Sequence, residues 1–130
     1  MKSIVFLCTE NSCRSQIAEA YANLLSNYNV KSYSAGSKAV GVINPGVYTS
    51  FKNIKYNLKH HYSKGLNELP DIKFNAVVLM GCDEDCPKMN ANKIIEWHIP
   101  DPKNMDQYDF NKVRDQIKQQ VLELLEEMKV

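Results

Sequence analysis

The chain has 130 residues, 44% of them hydrophobic and 24% charged, the composition of an ordinary globular domain with one real core. With 16 basic and 15 acidic residues the formal net charge is +1, so no global field recruits nucleic acid or an anionic membrane, and an anionic ligand has to be held by local geometry. No apolar run reaches the ~18 residues of a membrane span and Met1 to Leu7 is too short for a signal peptide; a cytoplasmic location is expected, where Cys8, Cys13, Cys82 and Cys86 do not form permanent structural disulfides.

Ser3-Ile4-Val5-Phe6-Leu7 is a continuous apolar run ending at Cys8, the pattern of a strand buried on both faces. From Ser15 the period changes, and Ile17, Ala18, Ala20, Tyr21, Leu24 and Leu25 fall on one helical face. Val30 to Ala35 reads as a second strand, closed by Gly36. Asn44-Pro45 has the form of a helix start, although Gly46, Thr49 and Ser50 write the helix weakly. Phe74 to Met80 is a further buried strand, and Ile94 to Ile99 a shorter one with Trp97 packing on one face. Phe110 to Met128 is the clearest helix, with Val113, Ile117, Val121, Leu124, Leu125 and Met128 as its apolar stripe. Strands alternating with helices imply an α/β fold, a parallel sheet with helices on both faces, and a ligand beyond the carboxyl ends of the strands. No repeat or linker divides the chain, so one domain over 1–130 is expected.

Cys8-Thr9-Glu10-Asn11-Ser12-Cys13-Arg14-Ser15 lies where the first strand gives way to the helix. A loop that wraps onto a helix N-terminus turns backbone N–H groups toward one point and makes an anion cradle. The helix dipole favours a thiolate there, which would make Cys8 a nucleophile near neutral pH. Arg14 supplies a planar fork for two oxygens of a tetrahedral anion, and Ser15 can donate a hydrogen bond to the Cys8 sulfur. Thr9, Glu10, Asn11, Ser12, Cys13, Arg14 and Ser15 are therefore the candidate substrate-binding residues.

The stretch from Cys8 to Glu19 resembles the phosphate loop of the low-molecular-weight tyrosine phosphatase superfamily. Its Asn11-Ser12-Cys13-Arg14-Ser15-Gln16 core is most similar to the thioredoxin-coupled arsenate reductases of that superfamily. Ser34-Ala35-Gly36, Asn44-Pro45, His61-Tyr62-Ser63 and Asp101-Pro102 match further landmarks in order. The resemblance implies a flavodoxin-like fold with a four-stranded parallel sheet. It implies that Cys8 attacks arsenic and that Asp101, held between two prolines, is the general acid. It also implies that Cys82 attacks Cys8 and releases arsenite, and that Cys86 then attacks Cys82. The Cys82–Cys86 disulfide is left to an external reductant, thioredoxin or a low-molecular-weight thiol with its redoxin. No tightly bound cofactor is implied, phosphate and sulfate compete with arsenate, and a monomer is expected.

Some positions depart from the family pattern. Glu10 stands where the family usually has glycine, so its carboxylate has to turn away from the anion. On a helical turn the Cβ atoms of Cys82 and Cys86 would be ~6 Å apart against the ~3.8 Å a disulfide needs, so this short segment would have to loop out, helped by Gly81 and Pro87. Asp83, Glu84 and Asp85 between the two cysteines raise their thiol pKa values. Cys13 is read as a packing residue, and the resemblance also implies that it can pair with Cys8 under oxidation. Asn11, Glu19 and Ser34 match residues that shape the loop, beside which some members bind potassium; Lys64 replaces an acidic ligand, and its ammonium can substitute for the cation. His60, His61 and His98 are not at ligand spacing with the cysteines and read as surface or helix-packing residues, so no metal site is expected. Two other readings share these residues. One is a zinc site using Cys82 and Cys86, against which Cys8 and Cys13 bracket the cradle. The other is a phosphatase using Cys8, Arg14 and Asp101, although Lys103 and Asn104 stand where phosphatases carry aromatic residues.

Overall fold

The computed structural model describes residues 1–81 and 89–130. Four strands form a parallel sheet in the order β2-β1-β3-β4, with β1 at Lys2–Cys8, β2 at Val30–Gly36, β3 at Ala76–Leu79 and β4 at Ile94–Glu96. This is the expected four-stranded α/β sheet. The apolar run of β1 is buried on both faces because β1 pairs with β2 along its whole length and with β3 on the other side. The chain moves to opposite sides of β1 before and after, so the loops at its carboxyl end diverge and leave a crevice at Cys8.

Helices α1 (Arg14–Leu25), α2 (Pro45–Ser50) and α3 (Gln107–Glu127) pack against the face that carries Ile4, Phe6 and Val78. The opposite face, carrying Val5, Leu7 and Val77, is covered by Phe74 and by the short 3₁₀ turn Leu66–Glu68 with its flanking residues. Helix α1 ends by a double bond of the Schellman type: Tyr28 N–H reaches Asn23 O at 2.9 Å and Asn27 N–H reaches Leu24 O at 3.2 Å. Asn27 takes the left-handed conformation (φ 52) that glycine usually supplies.

Several boundaries differ from the sequence reading. Helix α3 begins at Gln107, earlier than its apolar stripe, because Asp106 caps it by accepting from Asp109 N–H at 2.8 Å. Strand β3 is shorter than Phe74 to Met80, since Phe74 makes only an isolated bridge to Ala91. Strand β4 stops at Glu96, well short of Ile99. Trp97 nevertheless packs against Phe6, ring centroids 6.0 Å apart. Asn44 caps α2 as expected, accepting from Gly46 N–H at 2.8 Å, and the helix is six residues long. Among the described residues no helix is long and apolar enough to cross a membrane.

Candidate active site

Residues 8–14 form a loop in which the carbonyls of residues 8–12 each accept from a donor outside it. Segment 37–44 runs alongside and donates to them: Ser37 N–H to Cys8 O (3.3 Å), Lys38 N–H to Thr9 O (2.8 Å), Val40 N–H to Glu10 O (3.2 Å) and Asn44 N–H to Ser12 O (3.1 Å). The fifth carbonyl, of Asn11, accepts from Gln16 Nε2 at 3.2 Å. Since C=O and the following N–H point opposite ways across a planar peptide, this arrangement aims the loop's N–H groups inward. Asn11 N–H shows the result by donating to Cys8 Sγ at 3.2 Å. Strand β2 crowds the loop from behind, and a Cβ on Gly36 would stand 2.5 Å from Thr9 O.

Cys8 is buried at the bottom of a cavity of about 260 Å³ lined by Cys8, Thr9, Glu10, Ser12, Cys13, Arg14, Gly81 and Asp101. Its sulfur is 2.8 Å from Ser15 Oγ. Asn11 Nδ2 donates to Ser15 Oγ at 2.7 Å, so the Ser15 hydrogen is left to point at the sulfur. Arg14 reaches over the cavity, donating from Nη1 to Ile99 O at 3.2 Å and placing Nη2 3.7 Å from Asp101 Oδ2. Cys13 is buried and its thiol is pushed up to about 11 by that burial, which keeps it protonated and fits the packing role.

Glu10 is accommodated without strain and turns its carboxylate away from the loop. The left-handed residue of the loop is Asn11 (φ 52), not Glu10, so a side chain at position 10 brings no backbone strain. Its carboxylate turns to Lys103, with Nζ to Oε2 at 2.9 Å. Asp101 is exposed at the cavity rim and accepts from Lys103 N–H at 3.0 Å. Cys82 and Cys86, with the acids between them, lie outside the described residues. Gly81, which precedes Cys82, lines the Cys8 cavity and accepts from Thr9 Oγ1 at 3.2 Å.

Beneath the loop runs a buried polar chain that the sequence did not announce. Asn11 Oδ1 accepts from Gln16 Nε2 and from Lys64 N–H, each at 2.9 Å. Gln16 Oε1 meets His61 Nδ1 at 2.9 Å, and His61 Nε2 meets Tyr56 Oη at 2.6 Å. Gln16 Nε2 is spent on donation, so its Oε1 must accept; His61 carries its hydrogen on Nδ1 and takes one from Tyr56. Burial lowers the His61 pKa and keeps it neutral, while raising Tyr56 to about 12. His61, read as a packing or surface residue, is thus part of the loop's foundation.

The Lys64 ammonium lies among the oxygens of Tyr62, Ser34 and Glu19. It donates to Tyr62 O at 3.0 Å and Ser34 Oγ at 3.3 Å and lies 3.5 Å from Glu19 Oε1, while Ser34 also donates to Glu19 at 2.6 Å. The oxygens that would coordinate potassium are occupied by a covalently attached positive charge. The residues present do not fit the metal ion.

Residues 3–130 match the family described as low molecular weight phosphotyrosine protein phosphatase. The chain belongs to that family. Arsenate reductase 1 of Staphylococcus epidermidis is 38% identical over 120 residues, covering 90% of each chain. A solved arsenate reductase in the phosphate-binding state superposes with a TM-score of 0.87 at 25% identity, over 98% of both chains. A thioredoxin-dependent arsenate reductase of Corynebacterium glutamicum shares the fold, with a TM-score of 0.83 at 23% identity; 99% of this chain matches 62% of that one.

Proposed function

We propose that this protein reduces arsenate to arsenite. The observation that carries the reading is the loop itself, with five carbonyls turned out, N–H groups turned in, a thiol at the centre and an arginine above. The names of its relatives select arsenate among tetrahedral oxyanions.

In the first step Cys8 Sγ attacks arsenic, an S–As bond forms, and one oxygen leaves with a proton from Asp101 as water. The loop N–H groups and Arg14 hold the remaining oxygens throughout. The Cys82 sulfur then attacks Cys8 Sγ; the S–As electron pair stays on arsenic, which departs as arsenite, and a Cys8–Cys82 disulfide remains. Cys86 attacks Cys82, forming Cys82–Cys86 and freeing Cys8, with Ser15 stabilising the sulfur as it leaves. An external thiol reductant, thioredoxin or a low-molecular-weight thiol with its redoxin, reopens the disulfide, which suits a reducing cytoplasm. The Lys64 ammonium takes the structural part of the cation, so turnover needs no added potassium.

Arsenate-dependent oxidation of a thiol donor tests this, run on wild type and on Cys8→Ser, Cys82→Ser and Cys86→Ser. All three variants are expected to stop turning over, while Cys82→Ser and Cys86→Ser retain hydrolysis of an aryl phosphate. Wild-type turnover in either of those two would remove the cascade.

A further inference from the structure

We infer that Glu10 and Lys103 form a clasp across the mouth of the Cys8 cavity, which admits a bare tetrahedral oxyanion and discriminates against one that carries an ester group. The inference rests on the proposed reductase reading and concerns the selectivity of the same site.

The clasp belongs to a chain of polar contacts that runs from Glu10 through Lys103 and Asp101 to Arg14. Glu10 leaves the anion loop and accepts from Lys103 Nζ at 2.9 Å. Lys103 N–H donates to Asp101 Oδ1 at 3.0 Å, and Asp101 Oδ2 faces Arg14 Nη2 at 3.7 Å. Arg14 returns to the loop from which Glu10 came. The backbone under Glu10 is fixed, because its carbonyl accepts from Ser63 Oγ at 3.1 Å as well as from Val40 N–H. Only its side chain has freedom, and Lys103 takes that up; the Glu10 carboxylate in turn raises the Lys103 pKa.

The clasp lies on the path of the leaving group. Attack by Cys8 expels the oxygen opposite the sulfur, and Asp101, which protonates it, marks that direction. In arsenate that oxygen carries at most a hydrogen. In an ester it carries carbon, and the substituent must run out past Asp101 and the Glu10–Lys103 bridge. None of the described residues lining the cavity is aromatic, so none of them compensates an aryl group for parting the bridge. Both ends are part-exposed, with side-chain accessibilities of 48% and 32%, so the discrimination supplied is modest and sensitive to salt.

The test compares kcat/KM for 4-nitrophenyl phosphate hydrolysis with kcat/KM for arsenate reduction, in wild type, Lys103→Ala and the doubly reversed Glu10→Lys/Lys103→Glu. Lys103→Ala keeps the N–H that holds Asp101 and removes only the bridge, and any general loss of anion binding cancels in the ratio. The aryl phosphate to arsenate ratio should rise about two- to fivefold in Lys103→Ala, the factor an exposed ion pair can supply, and return toward wild type in the reversed pair. In about 1 M salt, where the screening length falls to about 3 Å, the wild-type ratio should rise while that of Lys103→Ala stays flat. An unchanged ratio in Lys103→Ala, or a reversed pair no better than the single variant, overturns the clasp. Absence of arsenate turnover in wild type would instead remove the reductase reading; aryl phosphate kcat/KM against the inhibition constant of inorganic phosphate then gives the clasp its own ratio.

Discussion

The bare α-carbon of Gly81 rests against the guanidinium of Arg14: a Cβ at position 81 would stand 2.1 Å from Nη1, and the residue holds φ +90, a conformation that side chains rarely adopt. The turn that follows β3 is thereby fitted to the arginine to which the proposed mechanism gives the oxyanion.

Gly81→Ala should therefore act on ligand binding through Arg14. Displacing a charged hydrogen-bond donor of this kind costs about 1.5–3 kcal/mol, so phosphate binding measured by calorimetry should weaken roughly 10- to 100-fold. An unaltered phosphate affinity would show that Arg14 is held by Ile99 O and Asp101 alone.

Ser15→Ala removes the hydroxyl beside Cys8 Sγ and leaves Asn11 Nδ2 without its acceptor. The loop remains framed by the backbone bonds from segment 37–44, so phosphate should still bind. The chemical steps should slow, with kcat falling by roughly one to two orders of magnitude, as expected for a bond of about 1.5–3 kcal/mol to a charged group. Single-turnover kinetics would check this, and a kcat within twofold of wild type would remove Ser15 from its role.

Burial lowers the His61 pKa in the folded protein below its unfolded value of about 6.5. Below pH 6.5 the unfolded state takes up the proton first, so stability falls as the pH drops from about 6.5 through the lowered folded value. Urea unfolding at a series of pH values should show that loss. His61→Gln, which has no titrating ring, should flatten the profile in this window; an equally steep profile in the variant would assign the effect to another group.

Lys64→Asp exchanges the internal ammonium for the acidic group that a metal cation would need. Beside Glu19 it creates unpaired negative charge, and the melting temperature should fall in sodium or choline buffers. Potassium should restore part of that loss in the variant and leave wild type unaffected relative to sodium. A wild type that responds to potassium as strongly as the variant would contradict the occupancy of the site by Lys64.

Much of this architecture is legible in the residues. The apolar run of β1, the change of period at Ser15 and the stripe of α3 each reflect one dominant force, burial, which leaves a periodic trace. The Cys8–Arg14–Ser15 loop is readable because its spacing is dictated by a single turn of chain. Gln16, Tyr56 and His61 leave no periodic trace: a glutamine on the buried side of α1 looks like an error of pattern until its partners His61 and Tyr62 arrive from 45 and 46 residues away. Lys103 belongs to the same class, since its bridge to Glu10 spans 93 residues and only the fold brings the two together. The start of α3 was missed for a different reason, because a capping aspartate lies outside the apolar stripe that draws the eye.

Segment 37–44 holds the anion loop through four main-chain N–H groups, while Ala39, Val40, Gly41 and Val42 face solvent. Selection acting on Ala39, Val40 and Val42 therefore has little to say about which side chains they carry and a great deal to say about how many residues the segment has, while buried Ile43 and the α2 cap Asn44 keep side-chain roles of their own. Related sequences should drift freely in composition there yet resist insertions and deletions, because one extra peptide would put every later donor out of step with its carbonyl. A family fingerprint of that kind, constant in spacing and inconstant in letters, would escape any search that scores identity alone.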